Sequence, residues 1–142
     1  MSGGVPVKTA TAKAAGAGSG TTSPAANAAP PGAARGREAE DRALRYLLSQ
    51  GLSLVTRNFR CRGGEIDLIM QHGRELVFVE VRFRSSASHG GALASITSGK
   101  QAKMVLAAQL FLQRYRQLPA CRFDVVAIEG TALHWLRAVI SL

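Results

Sequence analysis

The apolar positions change period along this chain, and the changes mark out its elements. Between Arg37 and Gln50 the apolar residues Ala43, Leu44, Leu47 and Leu48 recur at helical spacing. Gly51 follows as a C-cap, so a helix is predicted there. Leu52 to Phe59 reads as a first strand. Two short runs rich in Ile, Val, Leu and Phe then flank a polar turn at Gln71 to Arg74, within Gly63–Arg84. They read as a hairpin, with Gly73 free to supply a positive φ. If the turn spans His72 to Glu75, Gln71 faces Leu76, Met70 faces Val77, and Asp67 lies opposite Glu80. Ser85 to Ser95 is polar, carries Gly90-Gly91, and reads as a mobile loop. Thr97 or Ser98 caps a second helix reaching to about Arg116. Val105, Leu106 and Leu112 lie on one side of it and Met104, Ala107, Ala108 and Phe111 on another, so packing on two sides is expected. Arg122 to Glu129 gives a fourth strand and Leu133 to Ile140 a fifth. The order α-β-β-β-α-β-β predicts an α/β sandwich, a mixed sheet of four to five strands flanked by helices.

Two acids interrupt the apolar hairpin. Val77, Val79, Val81 and Phe83 take one face of the second strand, and Glu80 shares the other with Arg82. In the register above, two carboxylates and a guanidinium converge. Opposed residues have Cβ atoms about 4.5–5.5 Å apart. Like charges that close require a cation or a proton between them. A hard divalent ion such as Mg²⁺, held by one or two carboxylates plus water, meets that need. A register slip of one residue would separate the acids. The competing reading is a Glu80–Arg82 ion pair on a solvated sheet. Glu40 lies on the apolar stripe of the first helix, either facing the site or snorkelling to water from its edge. Arg57, Arg60 and Arg62 cluster beside the Gly63-Gly64 turn, suited to phosphates or simply solvated. Lys100 and Lys103 sit in the first turns of the second helix, where cations oppose the dipole unless an anion binds nearby.

An Asp followed about a dozen residues later by Glu-x-Lys, after a helix carrying a Glu, is the pattern of PD-(D/E)XK nucleases. More narrowly, Gly64-Glu65-Ile66-Asp67-Leu68-Ile69 with Leu76-Val77-Phe78-Val79-Glu80-Val81-Arg82-Phe83-Arg84 resembles the YraN family, bacterial proteins of uncharacterised role with an endonuclease-like fold. The resemblance continues through Glu40-Asp41, Ala43, Tyr46-Leu47, Asn58, Arg60, Gly90-Gly91, Lys100 and Arg122-Phe123-Asp124-Val125-Val126. It implies a restriction-endonuclease-like sandwich and a Mg²⁺- or Mn²⁺-dependent site. In that site Asp67, Glu80 and the Val81 carbonyl would hold the metal and Glu40 would complete the cluster. Apart from the resemblance, the candidate phosphate contacts are Arg57, Arg60, Arg62, Arg84, Lys100 and Lys103. Arg82 stands where the motif has Lys. A guanidinium does not give up its proton as an amine can, so Arg82 orients a phosphate better than it acts as a base.

Composition narrows the partners. Residues 1–35 hold eleven Ala, six Gly, four Pro, three Ser and four Thr. Such a segment buries too little to offset its ordering entropy and reads as a disordered tail before a domain at 36–142. All nine acids and fifteen of the eighteen basic residues fall in that domain, which carries a net charge of +6. A basic domain with a basic tail suggests a nucleic-acid partner, DNA before RNA. No apolar run is long enough for a membrane span, and no secretory leader is evident. Cys61 and Cys121 are expected as reduced thiols in a bacterial cytoplasm. His72, His89 and His134 lie apart and read as turn or surface residues, and Trp135 as core. Monomer and homodimer both remain open. Three readings stand: a metal-dependent endonuclease, a nucleic-acid-binding module on a nuclease fold with little or no cleavage, and a structural protein with no nucleic-acid partner, which only the basic charge opposes.

Overall fold

The structure, a computed structural model, describes residues 31–84 and 96–140, with side chains from Gly36 to Phe83 and from Ile96 to Ile140. The tail before Pro31, the loop at 85–95 and the Arg84 side chain lie outside the described residues. The elements are α1 (Pro31–Ser49), β1 (Ser53–Cys61), β2 (Gly64–His72), β3 (Glu75–Arg84), α2 (Ser98–Leu112), β4 (Ala120–Glu129) and β5 (Ala132–Ile140). α1 therefore starts six residues before the predicted Arg37. Pro31 is tolerated in a first turn because its missing N–H has no intrahelical partner there, and alanines propagate a helix well. α2 ends at Leu112 rather than near Arg116, with Gln113 as its C-cap. Strands β1, β4 and β5 run one or two residues beyond their predicted bounds.

The sheet has the order β1-β2-β3-β4-β5. β3 and β4 are parallel and the other neighbours antiparallel, which makes the sheet mixed. α2 lies in the β3–β4 crossover, the connection that a parallel pair requires. Residues Arg35–Leu142 form one compact unit. α1 covers one face, where Ala39, Ala43 and Leu47 meet Leu68, Met70, Val77, Val79, Val126 and Ile128. α2 covers the other, where Met104, Ala107, Ala108 and Phe111 meet Ile66, Ile69, Leu76, Phe78 and Phe123. Leu112 joins that core and Val105 packs at its edge, but Leu106 and Leu110 stay exposed, so among the described residues α2 packs on one side and not on the two expected. Leu48 of the predicted α1 stripe and Phe83 of the predicted β3 face are exposed as well.

The β2–β3 register is the one derived from sequence: Gln71 pairs with Leu76, Met70 with Val77, and the ladder runs to Leu68 with Val79. His72 pairs with Glu75, so the turn is two residues, Gly73-Arg74, rather than four. Gly73 has φ +62°, and Gly63, in the equally short Arg62-Gly63 turn, has φ +91°. One feature of the meander breaks the simple alternation. Residues two apart on a straight strand share a face, yet Leu68 packs toward α1 and Ile66 toward α2. The same reversal occurs on β1, where Arg57 reaches the acids of α1 and Phe59 packs with Phe111 of α2. Between them Asn58 has φ +55°, a conformation that Asn tolerates better than most residues. Both strands turn over at the Asn58/Asp67 position.

Candidate functional site

The turnover at Asn58 and Asp67 places three carboxylates around the end of the β2–β3 ladder. Asp67 sits past the last ladder pair, and its Oδ2 accepts from the Val81 N–H at 2.8 Å. The Val81 amide is therefore what meets Asp67. Burial, then the negative charge of Glu80, push the Asp67 carboxyl up to about 7. Lys100 and the Val81 N–H act against that rise. Glu80 lies on the α2 side with only 2% of its surface exposed. Its Oε2 meets Arg82 Nη1 at 3.2 Å and Lys100 Nζ at 3.3 Å. Burying a carboxylate on a central strand is tolerable only with such partners. The ion pair expected between Glu80 and Arg82 thus exists, in a buried setting and beside Asp67.

Glu40 approaches from the α1 side. It is half-buried, and its carboxyl is raised by burial first and by the charge of Asp67 second. Arg57 and the side chain of Asn58 hold it in place and oppose that rise. Arg57 Nη2 lies 3.7 Å from Glu40 and donates to Asp41 Oδ1 at 2.8 Å. The acids thus approach the ladder end from both faces of the sheet, Glu40 beside Asp67 and Asp67 beside Glu80. No group of three His, Cys, Asp or Glu side chains among the described residues has ligand geometry for a metal. The residues that could hold a cation are the neighbouring Asp67 and Glu80, two hard carboxylates that would need water to complete a shell such as that of Mg²⁺ or Mn²⁺.

The cations predicted for phosphate contacts separate into two groups. Arg57 is committed to Asp41, Arg60 pairs with Glu65 at 3.2 Å on the surface, and Lys100 reaches Glu80. Arg62 and Lys103 are exposed and have no ionic partner among the described residues. Lys100 does more than expected: α2 carries it across the crossover to the acid pair, where it supplies the amine that Arg82 does not.

A second polar cluster was not foreseen. Asp124 is fully buried on β4. Arg122 Nε lies 3.0 and 3.2 Å from its two oxygens, Trp135 Nε1 donates to Oδ2 at 2.9 Å, and the Ala138 N–H donates to Oδ1 at 3.0 Å. Arg122 also pairs with Glu75 and lies 2.9 Å from His72 Nδ1. The reason is on β5. Phe123 pairs with Ile140 but Val125 with Leu136, so three residues stand opposite Asp124 alone. Ala138, with φ +53°, is one of them, and its N–H has left the ladder. Asp124 replaces the missing acceptor. With every partner in place this network is structural. Trp135, edge-on to Tyr46 at 6.1 Å and half-buried, packs with the α1-side core as predicted.

Fold and geometry together define an α/β protein with a mixed five-stranded sheet and a carboxylate pair, Glu80 buried and Asp67 partly so, at the end of its central hairpin. The chain belongs to the uncharacterised protein family UPF0102, whose model matches residues 39–128. It is 60% identical over 106 residues to UPF0102 protein HEAR0176 of Herminiimonas arsenicoxydans, covering 75% of this chain and 86% of that one. It is 57% identical over 108 residues to a UPF0102 protein of Dechloromonas aromatica, covering 76% and 89%. A UPF0102 protein of Aeromonas hydrophila is 52% identical over 114 residues, covering 78% and 88%. The matched span contains Glu40, Asp67, Glu80, Arg82, Lys100 and Asp124. Among the described residues no helix is long and apolar enough to cross a membrane.

Proposed function

We propose that this chain is a metal-dependent nuclease-like protein acting on nucleic acid, DNA in the first instance, with Asp67 and Glu80 as the ligands of a Mg²⁺ or Mn²⁺ ion. The observation that carries the reading is the partly buried Asp67 carboxyl, held by the Val81 N–H, set against Glu80 and pushed up to about 7. An acid so placed is a stability cost to the empty fold, and perturbed carboxylates of this kind concentrate at functional sites. A bound divalent ion would activate a water and neutralise phosphate charge. The protein's own side chains supply the rest. The Val81 N–H orients Asp67, and the Val81 carbonyl is the further ligand implied by the resemblance to PD-(D/E)XK nucleases. Glu40, steadied by Arg57 and Asn58, would join through water. Arg82 would hold a phosphate oxygen, and Lys100 brings an amine able to exchange a proton where a guanidinium does not.

One observation favours a second reading, a binding module with little or no cleavage. Glu80 is already paired with both Arg82 and Lys100, so its charge is balanced within the protein. Labelled duplex, junction and single-stranded DNA, with RNA in parallel, incubated with Mg²⁺ or Mn²⁺, separate the two. Cleavage abolished by Asp67→Ala supports the nuclease, retention without cleavage supports the module, and neither binding nor cleavage rejects both.

A further inference from the structure

Next to the acid pair lies a cavity of about 370 Å³ between the β1–β2 turn and the start of α2. It is lined by three cations, Arg60, Lys100 and Lys103, by Glu65, which pairs with Arg60, and by Met104 and Cys61. The turn is held hard against the helix. A Cβ on Gly64 would stand 2.3 Å from the Lys103 carbonyl oxygen, so only glycine allows this approach. α2 has no acid in its first turn to balance its two lysines. Lys100 belongs to both places, lining the cavity while its Nζ reaches Glu80. Arg60 and Lys100 each have an acid partner, and Lys103 has none among the described residues.

We propose that this cavity binds one nucleoside monophosphate unit, with the phosphate on Lys103 and Lys100 and the base or sugar over Met104 and Cys61. The volume suits a single nucleotide, at the small end of the roughly 300–1,000 Å³ of small-molecule sites. The lining has the matching chemistry, Lys100 and Lys103 for a phosphate and Met104 and Cys61 for an apolar contact, with Glu65 already paired to Arg60. The inference rests on the nucleic-acid reading and sharpens it: a unit seated here is one side chain from Asp67 and Glu80, so a strand terminus is the source that geometry favours. A free nucleotide is the other source of the same chemistry.

Cys61 is the reporter. Alkylation of the full chain by iodoacetamide in EDTA, followed site by site by mass spectrometry, compares Cys61 with Cys121, which lies away from the cavity. Deoxyadenosine monophosphate at about four times its Kd is expected to slow Cys61 about fivefold by mass action, with Cys121 unchanged. Uncharged deoxyadenosine is expected to protect far less, and Lys103→Gln to remove the protection without changing the melting temperature. A short single strand with a terminal phosphate that protects better than its dephosphorylated counterpart assigns the site to strand ends. Protection by the mononucleotide alone assigns it to free nucleotides. No protection at millimolar mononucleotide, or equal protection by deoxyadenosine, overturns the proposal. Because EDTA is present throughout, that result is independent of whether Asp67 and Glu80 take a metal, which the cleavage assay decides.

Discussion

At Asp67 the cost of burial is left standing, because its backbone donor is a single amide while Glu80 adds a second negative charge. The pH dependence follows from the sign of that shift. Below about pH 4 Asp67 is protonated in folded and unfolded chains alike and contributes nothing. Between its ordinary 3.8 and about 7 the unfolded chain releases the proton while the folded chain keeps it, so rising pH lowers stability. Above that window the cost is complete, on the order of a few kcal/mol, since each tenfold change in proton affinity is worth about 1.4 kcal/mol. Asp67→Asn keeps an oxygen for the Val81 N–H and removes the charge. Its urea midpoint relative to wild type should climb from pH 4 to 7 and then level; parallel curves would show that Asp67 is not strained. Mg²⁺ should raise the melting temperature of wild type and not of this variant. Asp124 behaves in the opposite way. Removing it leaves the Trp135 indole and the Ala138 N–H without their acceptor and Arg122 with Glu75 as its one remaining acid among the described residues. Asp124→Ala should cost about 3–5 kcal/mol, the loss typical of a buried pair that loses one partner, read by denaturant melts.

At the scale of elements, the β1–β2 turn and α2 define each other through Gly64. Gly64→Ala forces a backbone shift against Lys103, and overpacking of this kind costs about 1–3 kcal/mol. It should lower the melting temperature and open the cavity beside Cys61, so faster alkylation of that thiol would accompany the loss. Much of this layout was legible in the sequence. Gly73 and the alternation of Leu76–Val79 fixed the β2–β3 register because the pleat permits only a period of two, and Thr97 marked the start of α2, where its hydroxyl accepts from the Lys100 N–H at 3.1 Å. Other features were hidden for identifiable reasons. The turnover at Asn58 and Asp67 depends on one left-handed residue that no periodicity announces. Asp124 gave no signal beyond its place in the Arg122–Val126 run, because two of its partners, Trp135 and the Ala138 N–H, come from an irregular stretch of β5. Lys100 read as a candidate phosphate contact rather than a partner of Glu80, since only the tertiary crossover brings it there. The early start of α1 was obscured by an Ala/Gly/Pro composition shared with the tail.

For the whole molecule, net charge overstates the surface offered to a polyanion. Of the cations expected to touch phosphates, Arg57, Arg60 and Lys100 are matched to acids. Binding to DNA should therefore show a modest salt dependence, with a log–log slope corresponding to about two to four phosphates at about 0.9 each. Titrations across salt concentrations check this; a slope of zero removes the nucleic-acid partner. The parallel β3–β4 pairing has a kinetic consequence. Strands β1 to β3 form a meander of neighbouring hairpins, whereas Glu75 must find Ala120 across the whole crossover. Loop-closure entropy makes such a non-local pairing late. On this order the meander is expected to bring Asp67 and Glu80 together before α2 delivers Lys100, so the acids would assemble while their lysine is still missing. Refolding should accelerate as pH falls toward the carboxylate range, and Glu80→Gln should weaken that acceleration.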